Sequence, residues 1–303
     1  MLSLVGISLN SCKKEGSSVS QKETNFDKDL NIKSDGRMLI FKSTEDYQKV
    51  VENPTEDIKF EFISKVSKMK HVSYTEKLDL LKSENDSLIG DDYLAQILNE
   101  DWIVQIGNYL YRVNKPEEKV YVLPVANIDE YDDLVNQNLL NPNIRKFSTF
   151  DNCIELAESG DMGEKCNEHS AKSRQGYGNL NSSGTFIEQD IYVNYNNYGI
   201  NFSIKIKANN YVDDKDKLYI QIENLWYKKR CGTTYGPYSL PWASPSSVFC
   251  CSRTYDAYSG ITPLHGYHVK ARARFEDWRY PSGSNPYTIF FTSWAVIEIN
   301  SPY

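Results

Sequence analysis

Residues 201–208 read NFSIKIKA, and their strict alternation decides how the second half of the chain is interpreted. Phe202, Ile204 and Ile206 fall on one face of an extended strand, and Ser203 and Lys205 fall on the other. The same period of two recurs in HVKARARF (268–275), IFFTSWAVIEI (289–299) and DKLYIQIENLWYKKR (216–230). Long alternating strands of this kind predict an all-β antiparallel sandwich, immunoglobulin-like, over residues 185–303, with its charged faces outside.

The preceding residues mix helical and strand patterns. Strands are predicted at RMLIFK (37–42) and KVYVLP (119–124), and WIVQIGNYLYRV (102–113) predicts a hairpin around a Gly-Asn turn. Helices are predicted at residues 43–53, 58–69, 74–81, 91–98, 128–137 and 151–158, the first capped by Ser43 or Thr44. The sequence therefore predicts an N-terminal α+β module over residues 37–166. A stretch rich in Gly, Ser and Asn, residues 167–184, is interpreted as a linker to the sandwich.

The chain length and the uneven distribution of charged residues indicate two modules that differ in net charge. A chain of 303 residues is long enough for two hydrophobic cores. The formal net charge is −7, but residues 171–303 contain 14 Lys and Arg against 10 Asp and Glu, so the excess of acidic groups lies in the first part. An acidic chain of this kind argues against nucleic acid as a partner.

The N-terminus contains a lipoprotein-like signal. Residues 1–11, MLSLVGISLNS, are apolar but too short to cross a bilayer. Leu9 and Ser11 before Cys12 resemble the bacterial lipobox, in which the cysteine thiol is acylated, and KKEGSS (13–18) resembles the charged signal of Bacteroidetes surface lipoproteins. The resemblance implies a lipid anchor at Cys12, with residues 1–11 as the signal remnant and 12–36 as a flexible tether. The alternative is an incidental cysteine in a disordered N-terminus.

A second resemblance covers the α+β module. The segments GRMLIFKSTEDYQKV (36–50) and ILNEDWIVQIGNYLYRVN (97–114) resemble a module that recurs in uncharacterised Bacteroidetes lipoproteins. This resemblance spans about residues 37–158 and implies outer-membrane location, with the protein at the cell surface. It supplies no catalytic residues that could be transferred to this chain.

The remaining cysteines are interpreted as those of an exported protein. We expect Cys153 to pair with Cys166, and Cys231 to pair with either Cys250 or Cys251. A metal site at Cys153, Cys166 and His169 is the alternative, but it lacks a fourth ligand. His265 and His268 are three residues apart, so a continuous strand directs them to opposite faces. No metal or other cofactor is predicted.

Two groups of residues are candidates for ligand binding. The Pro- and Gly-rich segment between Cys231 and Cys250 is expected to form a loop, and its aromatic rings could stack on sugars or on apolar parts of a protein. The predicted aromatic surface comprises Tyr235, Tyr238, Trp242, Tyr255 and Tyr258; alternatively, these rings fold back over the core. The basic residues Lys270, Arg272 and Arg274 could bind an anionic polysaccharide, unless acidic side chains on a neighbouring strand neutralise them.

The sequence lacks the common catalytic motifs. It contains no G-x-S-x-G elbow, no H-E-x-x-H, no P-loop and no dinucleotide fingerprint. No catalytic residue is therefore assigned. We expect a lipid-anchored envelope protein that binds a glycan or a protein. The alternatives are an accessory lipoprotein that partners an outer-membrane protein, and a glycoside hydrolase-like enzyme with carboxylates scattered in sequence.

Overall fold

The computed structural model describes residues 30–76, 91–138, 140–160, 178–179, 189–210, 216–240, 252–279 and 288–301. Predictions for Cys12, Cys166, Trp242, Cys250 and Cys251 fall outside these residues and stay predictions. The described residues form an α+β module followed by an antiparallel β-sandwich, as the alternation predicted. The immunoglobulin-like assignment of the sandwich stays a prediction.

The first module is built on a six-stranded mixed sheet. Its strands lie across the sheet in chain order: β1 (Ile32–Ser34), β2 (Leu39–Phe41), β3 (Ile103–Ile106), β4 (Tyr109–Asn114), β5 (Lys119–Pro124) and β6 (Arg145–Ser148). Strands β2 and β3 are parallel, and the other neighbours are antiparallel. The helices are α1 (Thr44–Val51), α2 (Glu56–Val66), α3 (Asp92–Ile97), a 3₁₀ helix (Val125–Glu130), α4 (Tyr131–Val135) and α5 (Cys153–Ser159).

Polar side chains fix the starts of four of these helices, the fourth being α5, which Asn152 caps. Ser43 Oγ accepts a hydrogen bond from the Asp46 amide at the start of α1. Thr55 Oγ1 accepts from the Ile58 amide at the start of α2, and Asp91 caps α3. Each such cap satisfies an amide that has no partner within its helix and contributes about 1 kcal/mol.

Hydrophobic side chains cover both faces of this sheet. On one face Phe41, Val104 and Val122 pack against residues of α1, α3 and α5. On the other face Ile103 and Leu110 belong to a smaller cluster with residues of α4. The module is therefore a three-layer unit whose sheet is buried on both sides.

The second module contains two four-stranded sheets. Its eight strands are β7 (Gly178–Asn179), β8 (Gln189–Asn197), β9 (Phe202–Asn210), β10 (Asp216–Lys229), β11 (Thr234–Leu240), β12 (Ser252–Gly260), β13 (Leu264–Arg279) and β14 (Thr288–Ser301). The sheet orders are β11-β10-β13-β14 and β12-β9-β8-β7. The apolar faces read from the sequence meet between the sheets, where Phe202, Ile204, Ile206, Val269 and Ala271 are buried.

Several boundaries differ from those predicted. Strand β1 lies within the predicted tether, because Ile32 is buried and pairs with Phe41. Strand β7 lies within the predicted linker and pairs with β8. Strand β11 occupies part of the predicted loop after Cys231, where pairing with β10 outweighs the weak strand propensity of a Gly-Pro sequence.

The tip of the β8–β9 hairpin belongs to the core of the first module. Tyr198 and Ile200 are fully buried there, and Lys115 Nζ donates to the Asn197 carbonyl at 3.0 Å. Gly199, with φ +75°, passes close to the first module, and its carbonyl accepts from the Cys153 amide at 2.9 Å. The sandwich is thus joined to the α+β module by a buried apolar contact.

Replacing Gly199 by alanine should destabilise the protein by roughly 3 kcal/mol. The new Cβ would lie 2.6 Å from Cys153 Sγ and 2.7 Å from Val120 Cγ2, in a left-handed backbone conformation. Gly160→Ala is the matched control, because Gly160 is also left-handed but has no atom within 4 Å of the added Cβ. Urea denaturation should give a loss of about 1 kcal/mol for the control. Equal losses in the two variants would contradict the buried contact.

Candidate functional site

A buried carboxylate lies where the two modules meet. Asp91 is 2 % exposed. Its Oδ1 accepts from the amides of Tyr93 and Leu94 at 3.2 and 3.1 Å, and so caps α3. Its Oδ2 accepts from Ser203 Oγ at 2.9 Å and from Asn201 Nδ2 at 3.4 Å, both in the sandwich. One carboxylate therefore joins a helix start in the first module to the outer face of β9 in the second.

Lys205 begins a series of ion pairs that runs from Asp91 to α2. Its Nζ lies 3.1 Å from Asp91 Oδ1 and 3.1 Å from Asp256 Oδ1, and its side chain is only 11 % exposed. Lys59 on α2 follows, with Nζ 2.9 Å from Asp256 Oδ2 and 3.2 Å from Glu56 Oε1. The prediction that this charged strand face lies in solvent is wrong for Lys205, because the first module packs on it.

The neighbouring charges change the pKa values of these groups. Burial alone would lower the pKa of Lys205, but Asp91 and Asp256 outweigh burial and raise it. Burial likewise opposes the charged form of Lys59, but Asp256 raises its pKa overall. For Asp256, burial would raise the pKa, yet Lys205 and Lys59 bring it below its usual value. Lys205, Lys59 and Asp256 are therefore ionised at neutral pH.

Asn53 makes a second, uncharged contact between the modules. Its amide donates to the Ser259 carbonyl, and its Oδ1 accepts from the Ser259 amide, both at 3.0 Å. Asn53 has φ +44°, a conformation that asparagine tolerates better than most residues. The turn between α1 and α2 is thereby fixed to strand β12.

Between these contacts lies a cleft of about 560 Å³. One wall is the α1–α2 turn and the start of α2, and the other is strand β12. The lining residues are Asn53, Pro54, Thr55, Glu56, Lys59, Arg253, Thr254, Tyr255, Asp256 and Ser259. The volume lies within the range of small-ligand sites, and a position between modules is common for them.

The polar groups that remain available in the cleft are mainly uncharged. Lys59 and Asp256 neutralise each other, and Arg253 Nη1 donates to the Leu218 carbonyl at 2.8 Å. In the described chain, the hydroxyls of Thr254 and Tyr255 have no hydrogen-bond partner. Burial, with a smaller effect of Asp256, raises the pKa of Tyr255, so its hydroxyl stays a donor at neutral pH.

The predicted aromatic surface is only partly assembled. Tyr235 stacks on Tyr227 with ring centroids 5.3 Å apart, and Tyr238 is 41 % exposed beside them. Tyr255 lines the cleft. The prediction for Tyr258 is wrong: it is 1 % exposed, packs on Tyr227 and donates its hydroxyl to the Thr262 carbonyl.

A bulge explains why Tyr258 is buried. Strand β12 shifts register between Asp256 and Tyr258, so Tyr255 pairs with Ile206 and Tyr258 pairs with Ile204. Both tyrosines therefore lie opposite core residues, although they are three positions apart.

Two of the three basic residues of β13, Lys270 and Arg272, are paired with acidic neighbours, as the alternative interpretation predicted. Arg272 pairs with Glu223, and Lys270 Nζ lies 3.9 Å from Glu223 and 3.7 Å from Glu298. The Arg274 guanidinium lies over the Tyr219 ring at 4.1 Å. Because Glu223 and Glu298 neutralise Lys270 and Arg272, the prediction of an anion-binding row is wrong for these two residues, whereas for Arg274 it stays a prediction.

The structure tests the predictions for two of the cysteines, Cys153 and Cys231. Cys153 is free and fully buried, so its predicted disulfide with Cys166 is wrong; its Sγ lies 3.3 Å from the Ser148 carbonyl. Burial, with Asp151, raises the pKa of this thiol, which is therefore unreactive. Cys231 is disulfide-bonded. Its predicted partners, Cys250 and Cys251, lie outside the described residues.

Comparisons with known proteins do not assign the chain: no protein-family model matches the sequence, and no curated protein matches it. Among the described residues, no group of three or more His, Cys, Asp or Glu is placed to hold a metal ion. No helix in the described ranges is long and apolar enough to span a bilayer.

The ion pairs of Asp256 predict how stability depends on pH. Because its pKa is lower in the folded protein, its contribution is present above about pH 4 and is lost as pH falls through the folded pKa. Asp256→Asn should therefore cost roughly 2 kcal/mol at pH 7 and little at pH 2. Urea denaturation at several pH values measures this difference.

Glu61→Gln on the exposed side of α2 is the control for this series, and should change stability by less than about 0.5 kcal/mol throughout. A loss for Asp256→Asn that is the same at pH 2 and pH 7 would contradict the assigned ion pairs.

Proposed function

We propose that this protein is a lipid-anchored component of the bacterial outer envelope, displayed at the cell surface, and that it binds another molecule without transforming it. The cleft between the α1–α2 turn and β12 carries the binding part of this proposal. Its walls come from both modules and are fixed by Asn53 and by the ion pairs of Lys59 and Lys205. A preformed site of this kind loses little entropy when a ligand binds.

Binding is favoured over hydrolysis by the state of the carboxylates in the cleft. Glu56 and Asp256 lie 3.2 and 2.9 Å from the same Lys59 ammonium, so they are close enough in space to suggest a catalytic pair. A glycosidase, however, requires one carboxyl group that keeps its proton as the general acid. The pKa of Asp256 is lowered rather than raised, so Asp256 does not fit the general-acid role, and the Glu56 side chain, 90 % exposed at the rim, lacks the enclosed apolar surroundings of such an acid.

The available hydroxyls of Thr254 and Tyr255 suit an uncharged polar ligand, such as a neutral glycan or a peptide backbone. Tyr235 and Tyr238 on β11 could add stacking contacts for a larger ligand. Lys229 connects the two regions, since its Nζ lies 2.7 Å from Glu52, next to Asn53, and 5.4 Å from the Tyr235 ring centroid.

An accessory role beside an outer-membrane protein is a second candidate. Phe60 is 76 % exposed and Ile63 is 45 % exposed, one turn apart on α2. Exposed apolar side chains at this spacing are typical of a protein contact surface. In this role the partner would bind α2 and not the cleft.

Filling the cleft should abolish ligand binding. The Glu56 side chain is 90 % exposed at the rim, so Glu56→Trp should narrow the cleft and change stability by less than about 1 kcal/mol. Glu61→Trp, on the same helix but outside the cleft, is the control. Full-length protein is screened against a glycan array and a random peptide library. Binding that survives Glu56→Trp but is lost in Phe60→Ser would favour the accessory role.

Acylation at Cys12 has its own test. Palmitate should label the protein in cells and the label should be lost in Cys12→Ala, because the thiol is the proposed attachment point. Ser18→Ala, outside the lipobox, should keep the label. Equal labelling of all three proteins would rule out the lipid anchor.

A further inference from the structure

We propose that the cleft binds an extended peptide segment of a partner protein, which adds as a further strand to the edge of β12. This inference rests on the binding function proposed above and names the class of ligand. The distinguishing feature is that one wall of the cleft is the edge of a sheet and the other is a helix. A groove between a strand edge and a helix suits peptide recognition by strand addition.

Strand β12 ends its sheet in the order β12-β9-β8-β7. Its described partner is β9, from Ser252 opposite Asn209 to Gly260 opposite Phe202. Residues 253–256 of this edge line the cleft. The open side of the cleft therefore offers main-chain groups as well as side chains.

The Asn53 contact shows which main-chain groups point outward. The amide and carbonyl of Ser259 face Asn53, so Ser259 is not hydrogen-bonded to its opposite residue, Ser203. Along β9, residues that are hydrogen-bonded to β12 alternate with residues that are not. The main-chain groups of Lys205 and Lys207 therefore point away from β12, as those of Ser203 do. Asp256 and Thr254 lie opposite these two lysines. Their amides and carbonyls consequently face the cleft.

Asn53 already acts as one residue of an additional strand. Its amide and its side-chain oxygen replace the donor and acceptor that a neighbouring strand would present to Ser259. Beyond this residue, none of the strands that the structure describes pairs with the edge at Asp256 and Thr254. Asn53 therefore marks one end of the peptide site, and a segment of about five residues, some 17 Å long, would reach Ser252.

The side chains around this edge indicate the pattern of the peptide. Thr254, Asp256 and Lys59 lie on the outer side, and Tyr255 lies on the side of the sandwich core. Since side chains of a strand alternate between its faces, the peptide should alternate polar residues with apolar or aromatic ones. Main-chain pairing would supply affinity, and contact with Tyr255 would supply selectivity.

The test uses full-length protein and a peptide selected from a random library. Thr254→Pro removes the outward amide but leaves the ladder to β9, because proline is tolerated where the amide faces away from the sheet. Thr254→Val keeps the amide and removes only the hydroxyl. We expect the dissociation constant to be at least about tenfold higher for proline than for valine, which loses only the hydroxyl contact. N-methylation along the peptide should weaken binding at alternate positions only.

Other results would overturn the inference. Valine and proline variants that lose binding equally would assign recognition to the Thr254 hydroxyl. A selected peptide that still binds the proline variant would place it away from β12. A library without binders, beside glycan binding that Glu56→Trp abolishes, would reject the peptide and retain the binding function. Failure of both the glycan array and the library would reject both proposals.

Discussion

The structure depends on a single buried carboxylate between its modules. A carboxyl group as buried as that of Asp91, at 2 % exposure, would be strongly destabilising without partners, since burial removes its hydration. Two amides of α3, the Ser203 hydroxyl, the Asn201 amide and the Lys205 ammonium replace that hydration. Because the first two partners belong to one module and the other three to the second, Asp91 is satisfied only when the modules are joined.

This requirement explains why the cleft has defined walls. Lys205 extends the contact from Asp91 to Asp256 on β12, and Lys59 extends it back to α2. The hairpin tip with Gly199 adds an apolar contact at another point of the same interface. Two contacts of different physical character restrict rotation of one module on the other, so the α1–α2 turn and β12 keep their separation.

Local sequence patterns predicted most of the fold. The alternation of residues 201–208 correctly separates Phe202, Ile204 and Ile206 from the polar face, and of the two predicted caps, Ser43 and Thr44, the structure has Ser43. Strands β1 and β11 were assigned to a tether and a loop, because neither three residues nor a Gly-Pro segment gives a clear period of two. In both cases pairing with a neighbouring strand determines the structure.

The candidate site was much less predictable, because its residues come together only through tertiary contacts. Asp91 stood at the start of a predicted helix, but its contact with Ser203 spans 112 positions. Asn53 lay near a predicted helix end, and Ser259 is 206 positions away. The alternation assigned Lys205 to the correct face without indicating that another module covers it. A bulge at Ala257 likewise brought Tyr258 into the core.

A double-mutant cycle between Asp91 and Lys205 would test directly whether this buried ion pair joins the two modules. Urea denaturation would give the free energies of unfolding of Asp91→Ala, Lys205→Ala and the double variant. A buried ion pair that joins the modules predicts a coupling energy of at least about 1.5 kcal/mol, with the double variant losing less than the sum of the single losses. If the two single losses add to within about 0.5 kcal/mol, the two residues act independently, and their ion pair does not join the modules.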